Sequence, residues 1–262
     1  MGSDKPPIVT QVEFLGESGL IAGYDFASGD LFIFTLEDQI SGDQNGLIAR
    51  RHLGGGLGGM VYCEANDMLY ALTWPEGGDL GLNHEVRAID AASGLTRWTL
   101  PVGGAVRITA NPLTGDIAVP DGAILTIYSG EDHDILRQGE LPAPAQRVAW
   151  SPDGNRIVAA EAGGGLDVVD AETLAQTVPT IWIGTGLDFS DFIWRPDSQT
   201  LIVGTISEDY KGTRQGDYTY VVRADATNWT NRMCAIAGSS LSEAEWEEYV
   251  GDVIPYEELC PA

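Results

Sequence analysis

Val148-Ala149-Trp150-Ser151-Pro152-Asp153-Gly154-Asn155-Arg156-Ile157-Val158 reads as an apolar strand, a tight turn and a second apolar strand. Pro152 presets φ for the first central turn position, and Gly154 takes a positive φ at no steric cost. Four other segments share this form: 12–22, 61–71, 108–118 and 192–202. Anchored on Val12, Val61, Ile108, Val148 and Phe192, the repeats are 49, 47, 40 and 44 residues apart. A mean period of 45 residues is that of a propeller blade.

Each repeat carries a third apolar stretch, as at Leu31-Phe32-Ile33-Phe34 and Leu166-Asp167-Val168-Val169. Fourth strands are expected at 47–51, 96–100, 135–141 and 177–183. Short strands at such spacing make antiparallel four-stranded sheets. A β-sandwich is the other way to use them, but it needs no fixed long period. The expected fold is all-β, a propeller of about five four-stranded blades, either whole or one part of a larger ring, with two short C-terminal helices. Blades are expected at about 8–53, 54–102, 103–143, 144–185 and 186–225. Residues 1–7 read as a tag or linker and 226–262 as a helical tail. The fifth repeat has strands at 190–195, 200–206 and 217–224, and its fourth-strand slot has no obvious occupant.

Composition narrows the role. Lys and Arg number 14 against 39 Asp and Glu, a formal net charge of −25. Such a chain repels phosphate backbones and anionic lipid, so neither nucleic acid nor membrane is an expected partner. With 44 % hydrophobic and only 20 % charged residues it is not a disordered acidic tail. No apolar h-region opens the sequence and no apolar run approaches ~18 residues. The expected location is cytoplasmic.

Several motifs invite chemistry and fall short of it. Gly54-Gly55-Gly56-Leu57-Gly58-Gly59 matches a dinucleotide fingerprint in form, but Met60-Val61-Tyr62-Cys63 continues as a strand where a helix is required. It reads as a flexible inter-blade loop. Glu131-Asp132-His133-Asp134 reads as a solvated turn rather than a cation site. His52, His84 and His133 lie in different repeats, with no zinc-site spacing. Carboxylates paired in a funnel would be glycosidase-like, but chance pairs are expected among so many acids. Trp150 and Trp194 share one repeat position and read as core. No catalytic, cofactor or metal residue is expected, and the chain reads as a non-enzyme.

The tail is read residue by residue. Asp225 or Thr227 can cap a helix over about 228–237 that Gly238 stops. Ser242 and Glu245 form a capping box, and Leu241 and Trp246 a hydrophobic staple, at the head of a second helix that includes Tyr249. Cys234 and Cys260 flank these helices, as a disulfide that staples the tail or as two buried thiols.

Residues 146–170 resemble a WD-type or YVTN-type blade. The tail is similar to the C-terminus of WD-repeat regions in bacterial, especially actinobacterial, STAND-class signalling NTPases. The matching features are Trp229 with Cys234-Ala235-Ile236-Ala237-Gly238, the Ser242-to-Tyr249 segment, and Tyr256 with Cys260-Pro261. In those proteins the tail helix is rich in Arg, whereas residues 240–262 here hold seven acids and no base. The resemblance implies a non-catalytic interaction or sensor module, whose partner is another protein or upstream domains of the same polypeptide. The alternative is a propeller hydrolase or lyase using funnel carboxylates.

Overall fold

The computed structural model describes residues 11–37, 46–74, 83–105, 107–184, 188–208, 214–224, 234–235, 242–249 and 260. They form five antiparallel sheets, each built from consecutive strands. Blade 1 holds β1 (Gln11–Leu15), β2 (Leu20–Asp25), β3 (Asp30–Thr35) and β4 (Leu47–His52). Blade 2 holds β5 (Gly56–Cys63), β6 (Met68–Trp74), β7 (His84–Asp90) and β8 (Thr96–Gly103). Blade 3 holds β9 (Thr109–Ala110), β10 (Ile117–Asp121), β11 (Ile124–Tyr128) and β12 (Ile135–Glu140). Blade 4 holds β13 (Ala145–Trp150), β14 (Arg156–Glu161), β15 (Gly165–Asp170) and β16 (Gln176–Trp182). Blade 5 has three described strands: β17 (Asp188–Trp194), β18 (Thr200–Glu208) and β19 (Arg214–Arg223). First strands of successive blades lie side by side: β1 with β5, β5 with β9, β9 with β13, and β13 with β17. This is a WD40-like β-propeller.

The turns follow from their side chains. In the 151–154 turn the Gly154 N–H donates to Ser151 O at 2.9 Å, and the Asn155 N–H to Asp153 Oδ1 at 3.1 Å. Gly154 sits at φ 72°, the left-handed region that a Cβ disfavours. A second turn closes the third strand of blades 2 and 4 and the second strand of blade 1. At Asp90 the carboxylate accepts from the Ser93 N–H at 2.9 Å, and the Gly94 N–H reaches Asp90 O at 2.8 Å. Asp25 and Asp170 start the same turn in blades 1 and 4.

The core lies between blades. Leu15, Tyr24, Leu31 and Ile33 of blade 1 meet Met60, Leu69 and Ile89 of blade 2. Tyr70, Leu72 and Val86 meet Ile117 and Val119 across blades 2 and 3. Leu125 and Ile127 meet Val148, Trp150 and Ile157 across blades 3 and 4. Val158, Leu166 and Val168 meet Phe192, Trp194 and Leu201 across blades 4 and 5. Trp150 and Trp194 are thus both buried core. Among the described residues, no hydrophobic cluster joins blade 5 to blade 1.

The expected pair of tail helices is seen in part, and the reading of the glycine run needs correction. Of the two tail helices, one is described: α1 (Glu243–Tyr249). The other falls on 228–237, of which only Cys234 and Ala235 are described, both helical. Among the described residues, a 3-10 turn at Gly16–Ser18 and a helical pair at Leu36–Glu37 also break the all-β pattern. The glycine run is not a flexible loop, because β5 begins at Gly56 and the run forms half of that inner strand.

Candidate functional site

Three charged residues share one repeat position, one place before the anchors Ile108, Val148 and Phe192. They are Arg107, Arg147 and Asp191. Arg107 lies just before β9, and Arg147 and Asp191 lie on β13 and β17, close enough for Arg107 to feel both of their charges. Burial first, and the Arg147 charge second, lower the Arg107 pKa, while Asp191 opposes the shift. Both guanidiniums are held by backbone. Arg107 donates to Gly58 O, and Arg147 Nε donates to Phe189 O at 3.1 Å. Among the described residues, neither forms an ion pair at salt-bridge distance.

The two arginines line a cavity of about 400 Å³ with Gln146, Leu57, Gly58, Trp74, His84 and Phe189. The glycines of β5 make this space. A Cβ on Gly56 would collide with the Trp74 indole, and one on Gly59 would meet Arg107 Nη1 at 2.9 Å. His84 is buried beneath Trp74, with ring centroids 5.5 Å apart. Its Nδ1 contacts Ala105 O, so that nitrogen carries the proton, while Nε2 has no hydrogen-bond partner among the described residues. The described lining is therefore cationic and aromatic, with no carboxylate among the described residues.

Two further surfaces stand out. Cross-strand register places Phe14, Ile21, Phe34 and Leu47 in one row on the face of blade 1 that points away from blade 2. Phe14 is 64 % exposed. On blade 5, Ile193, Ile202 and Val221 form a row on the face that points away from blade 4. Ile193 is 58 % and Val221 70 % exposed.

Blade 4 buries a carboxylate pair. Asp167 is fully buried, and its Oδ1 accepts from Gln176 Nε2 at 2.9 Å and Thr180 Oγ1 at 2.7 Å. Burial first, and the Asp167 carboxylate second, push the Glu161 pKa up to about 7. Neither acid lines the cavity.

In the tail, the Ser242 N–H donates to Glu245 Oε2 at 2.8 Å, and the Glu245 N–H to Ser242 Oγ at 3.3 Å. These are the two reciprocal bonds of a capping box. Trp246 is buried. Cys234 and Cys260 are joined by a disulfide. Leu241 lies outside the described residues, and of Tyr249 only the helical backbone is described. Glu131 to Asp134 form the exposed turn after β11, where the Asp134 N–H bonds Asp132 Oδ1 at 3.4 Å. Among the described residues, no three His, Cys, Asp or Glu converge on a point. No helix among them is long and apolar enough to cross a membrane. Sequence reasoning missed Arg107 and Arg147, although their shared place in the repeat was the signal that could have found them.

No protein-family model and no curated protein matches the sequence. Solved structures match its fold. A chain of Kuenenia stuttgartiensis hydrazine synthase superposes with a TM-score of 0.68 at 12 % identity, over 84 % of this chain and 64 % of that one. This chain thus spans less than two thirds of the hydrazine synthase chain. The Myceliophteria thermophila Cps50 (Swd1) β-propeller domain superposes with a TM-score of 0.62 at 14 % identity, over 84 % of this chain and 72 % of that one. At these identities the likeness shows fold alone. It corrects the reading of the chain as a non-enzyme. That reading rested on the lack of a recognised catalytic motif, and a hydrazine synthase chain shares the fold, so the fold itself establishes neither status.

Proposed function

We propose that this chain is a protein-docking or sensor propeller that acts within a larger bacterial signalling ATPase of the STAND class. One observation carries the reading: the terminal blades each turn an apolar sheet face to solvent. Monomeric proteins rarely leave such rows uncovered, and burying each large side chain is worth roughly 1.5–3 kcal/mol. The rows on blades 1 and 5 have the same kind of residue as the four inter-blade cores. Their fitting occupant is therefore another protein face, supplied by neighbouring blades or domains of the same polypeptide. The net charge of −25 favours protein over nucleic acid or anionic lipid. The tail resemblance supplies the STAND context. The Cys234–Cys260 bond weighs against a reducing cytoplasm, where disulfides are rare. The funnel-carboxylate alternative gains no support, because arginines line the axial cavity.

Photoreactive side chains placed at Phe14 and Val221 of the polypeptide in its native host test the reading. Leu113, 63 % exposed in a blade 3 turn, is the control. Cross-links from Phe14 and Val221 to protein outside residues 11–224, absent from Leu113, are expected. Labelling no stronger than at Leu113, or cross-links to lipid or nucleic acid, would reject the docking role.

A further inference from the structure

We infer that the axial cavity is a binding site for a small organic oxyanion, a carboxylate or phosphate carried on a partly apolar body. The assignment holds whether or not the outer blade faces bind a partner. Its basis is charge placement. A chain with 14 basic and 39 acidic residues places two arginines at one repeat position beside one cavity, Arg107 two residues ahead of β9 and Arg147 on the neighbouring β13.

Fold stability does not ask for that pairing. Like charges repel, and here burial adds to the cost for Arg107. Ordinarily a nearby acid neutralises such a pair. Among the described residues, Asp191 is the acid whose charge reaches Arg107, yet it is exposed and makes no ion pair with either arginine. An anion in the cavity would supply the missing charge. Backbone carbonyls pin one nitrogen of each guanidinium, which fixes the groups in place. Each guanidinium carries five N–H donors, so donors remain for a ligand.

The rest of the lining indicates what carries the anionic group. Leu57, Trp74 and Phe189 offer an apolar and aromatic wall, and Gln146 a neutral polar one. The glycines of β5 keep that wall open, since side chains at 56 or 59 would force Trp74 or Arg107 to move. A volume of about 400 Å³ suits a small molecule or a single inserted side chain. The unpartnered Nε2 of His84 is a further buried polar atom of this wall.

Calorimetric titration of the whole chain with three probes tests the site: inorganic phosphate, phenylacetate, and phenylacetamide as the neutral twin of phenylacetate. Saturable binding of phenylacetate is expected, with phenylacetamide at least about tenfold weaker, as befits a charge-assisted contact. Phosphate binding as tightly as phenylacetate would show that the apolar wall contributes nothing and would overturn the assignment to an organic anion. Phosphate binding more weakly would identify an organic carboxylate. Arg147→Gln and Arg107→Gln are each expected to weaken binding about tenfold or more. Arg137→Gln, on the outer strand of blade 3, is expected to leave it unchanged. Because either cavity substitution could disturb the backbone its arginine holds, Asp191→Asn is the second arm. Removing that exposed carboxylate is expected to tighten binding. Equal affinity for acid and amide, anion binding no stronger than that of chloride at matched ionic strength, or no tightening in Asp191→Asn would overturn the assignment.

Discussion

At Glu161 a proton decides how well blade 4 packs. Asp167 Oδ2 has no hydrogen-bond donor among the protein atoms, and a protonated Glu161 supplies one. The folded pKa of about 7 lies above the ordinary 4.5. The resulting stabilisation is therefore complete below about pH 4.5 and is lost as the pH rises through 7. Its size is on the order of 2–3 kcal/mol. Thermal unfolding at pH 5 and pH 8 checks this: the wild-type midpoint falls between them, and Glu161→Gln flattens the difference. Asp90 behaves in the opposite sense. Bonds from Ser93 first, then Arg97, hold its pKa down to about 2 from 3.8. Its stabilisation is present above pH 3.8 and fades as the pH falls through 2. Asp90→Ala is expected to cost about 1–2 kcal/mol at pH 7, and much less at pH 2, by chemical denaturation. The turn role of Asp90 was legible, because Asp-x-x-Ser-Gly is local chemistry. The Glu161–Asp167 pair was not, since two acids six residues apart declare nothing until strand register buries them. Arg107 and Arg147 were hidden in the same way: the repeat gave their equivalence, but only neighbouring blades gave their proximity.

Among the elements, strands with tight turns were the most readable. The fourth strands expected at 47–51, 96–100, 135–141 and 177–183 correspond to β4, β8, β12 and β16 within a few residues. Alternation and turn residues act over a few positions, so sequence carries them. The glycine run misled because glycine signals freedom when read alone. In β5 it signals room, kept for Trp74 and Arg107. The tail tests how a short element is held. A helix of seven residues is too short to persist alone, so α1 depends on its cap, its buried Trp246 and the nearby disulfide. Trp246→Ala is expected to cost the tail about 3 kcal/mol. Reducing Cys234–Cys260, which span 26 residues, is expected to cost about as much, ~3 kcal/mol. Hydrogen exchange of the α1 amides reads both: protection drops in α1 while blades 2 to 4 keep theirs.

For the whole molecule the governing count, among the described residues, is five blades and four inter-blade cores. Among those residues, blades 2, 3 and 4 are supported on both faces, and blades 1 and 5 on one. Stability then adds by nearest neighbours, as in a linear repeat array. Hydrogen exchange is expected to rank blade 3 as the most protected and blades 1 and 5 as the least. Equal protection around all five blades would refute that order. The period made the blade number legible in sequence, but not the uncovered seam, because β1 and β17 lie far apart in the chain and no local pattern says whether they meet. The seam also bears on how such a protein can change length over evolutionary time. In a closed ring, an inserted blade alters the angle at every interface, and the whole circle must readjust. Here a duplicated blade laid on Phe14 or Val221 would add one contact and disturb none of the other four.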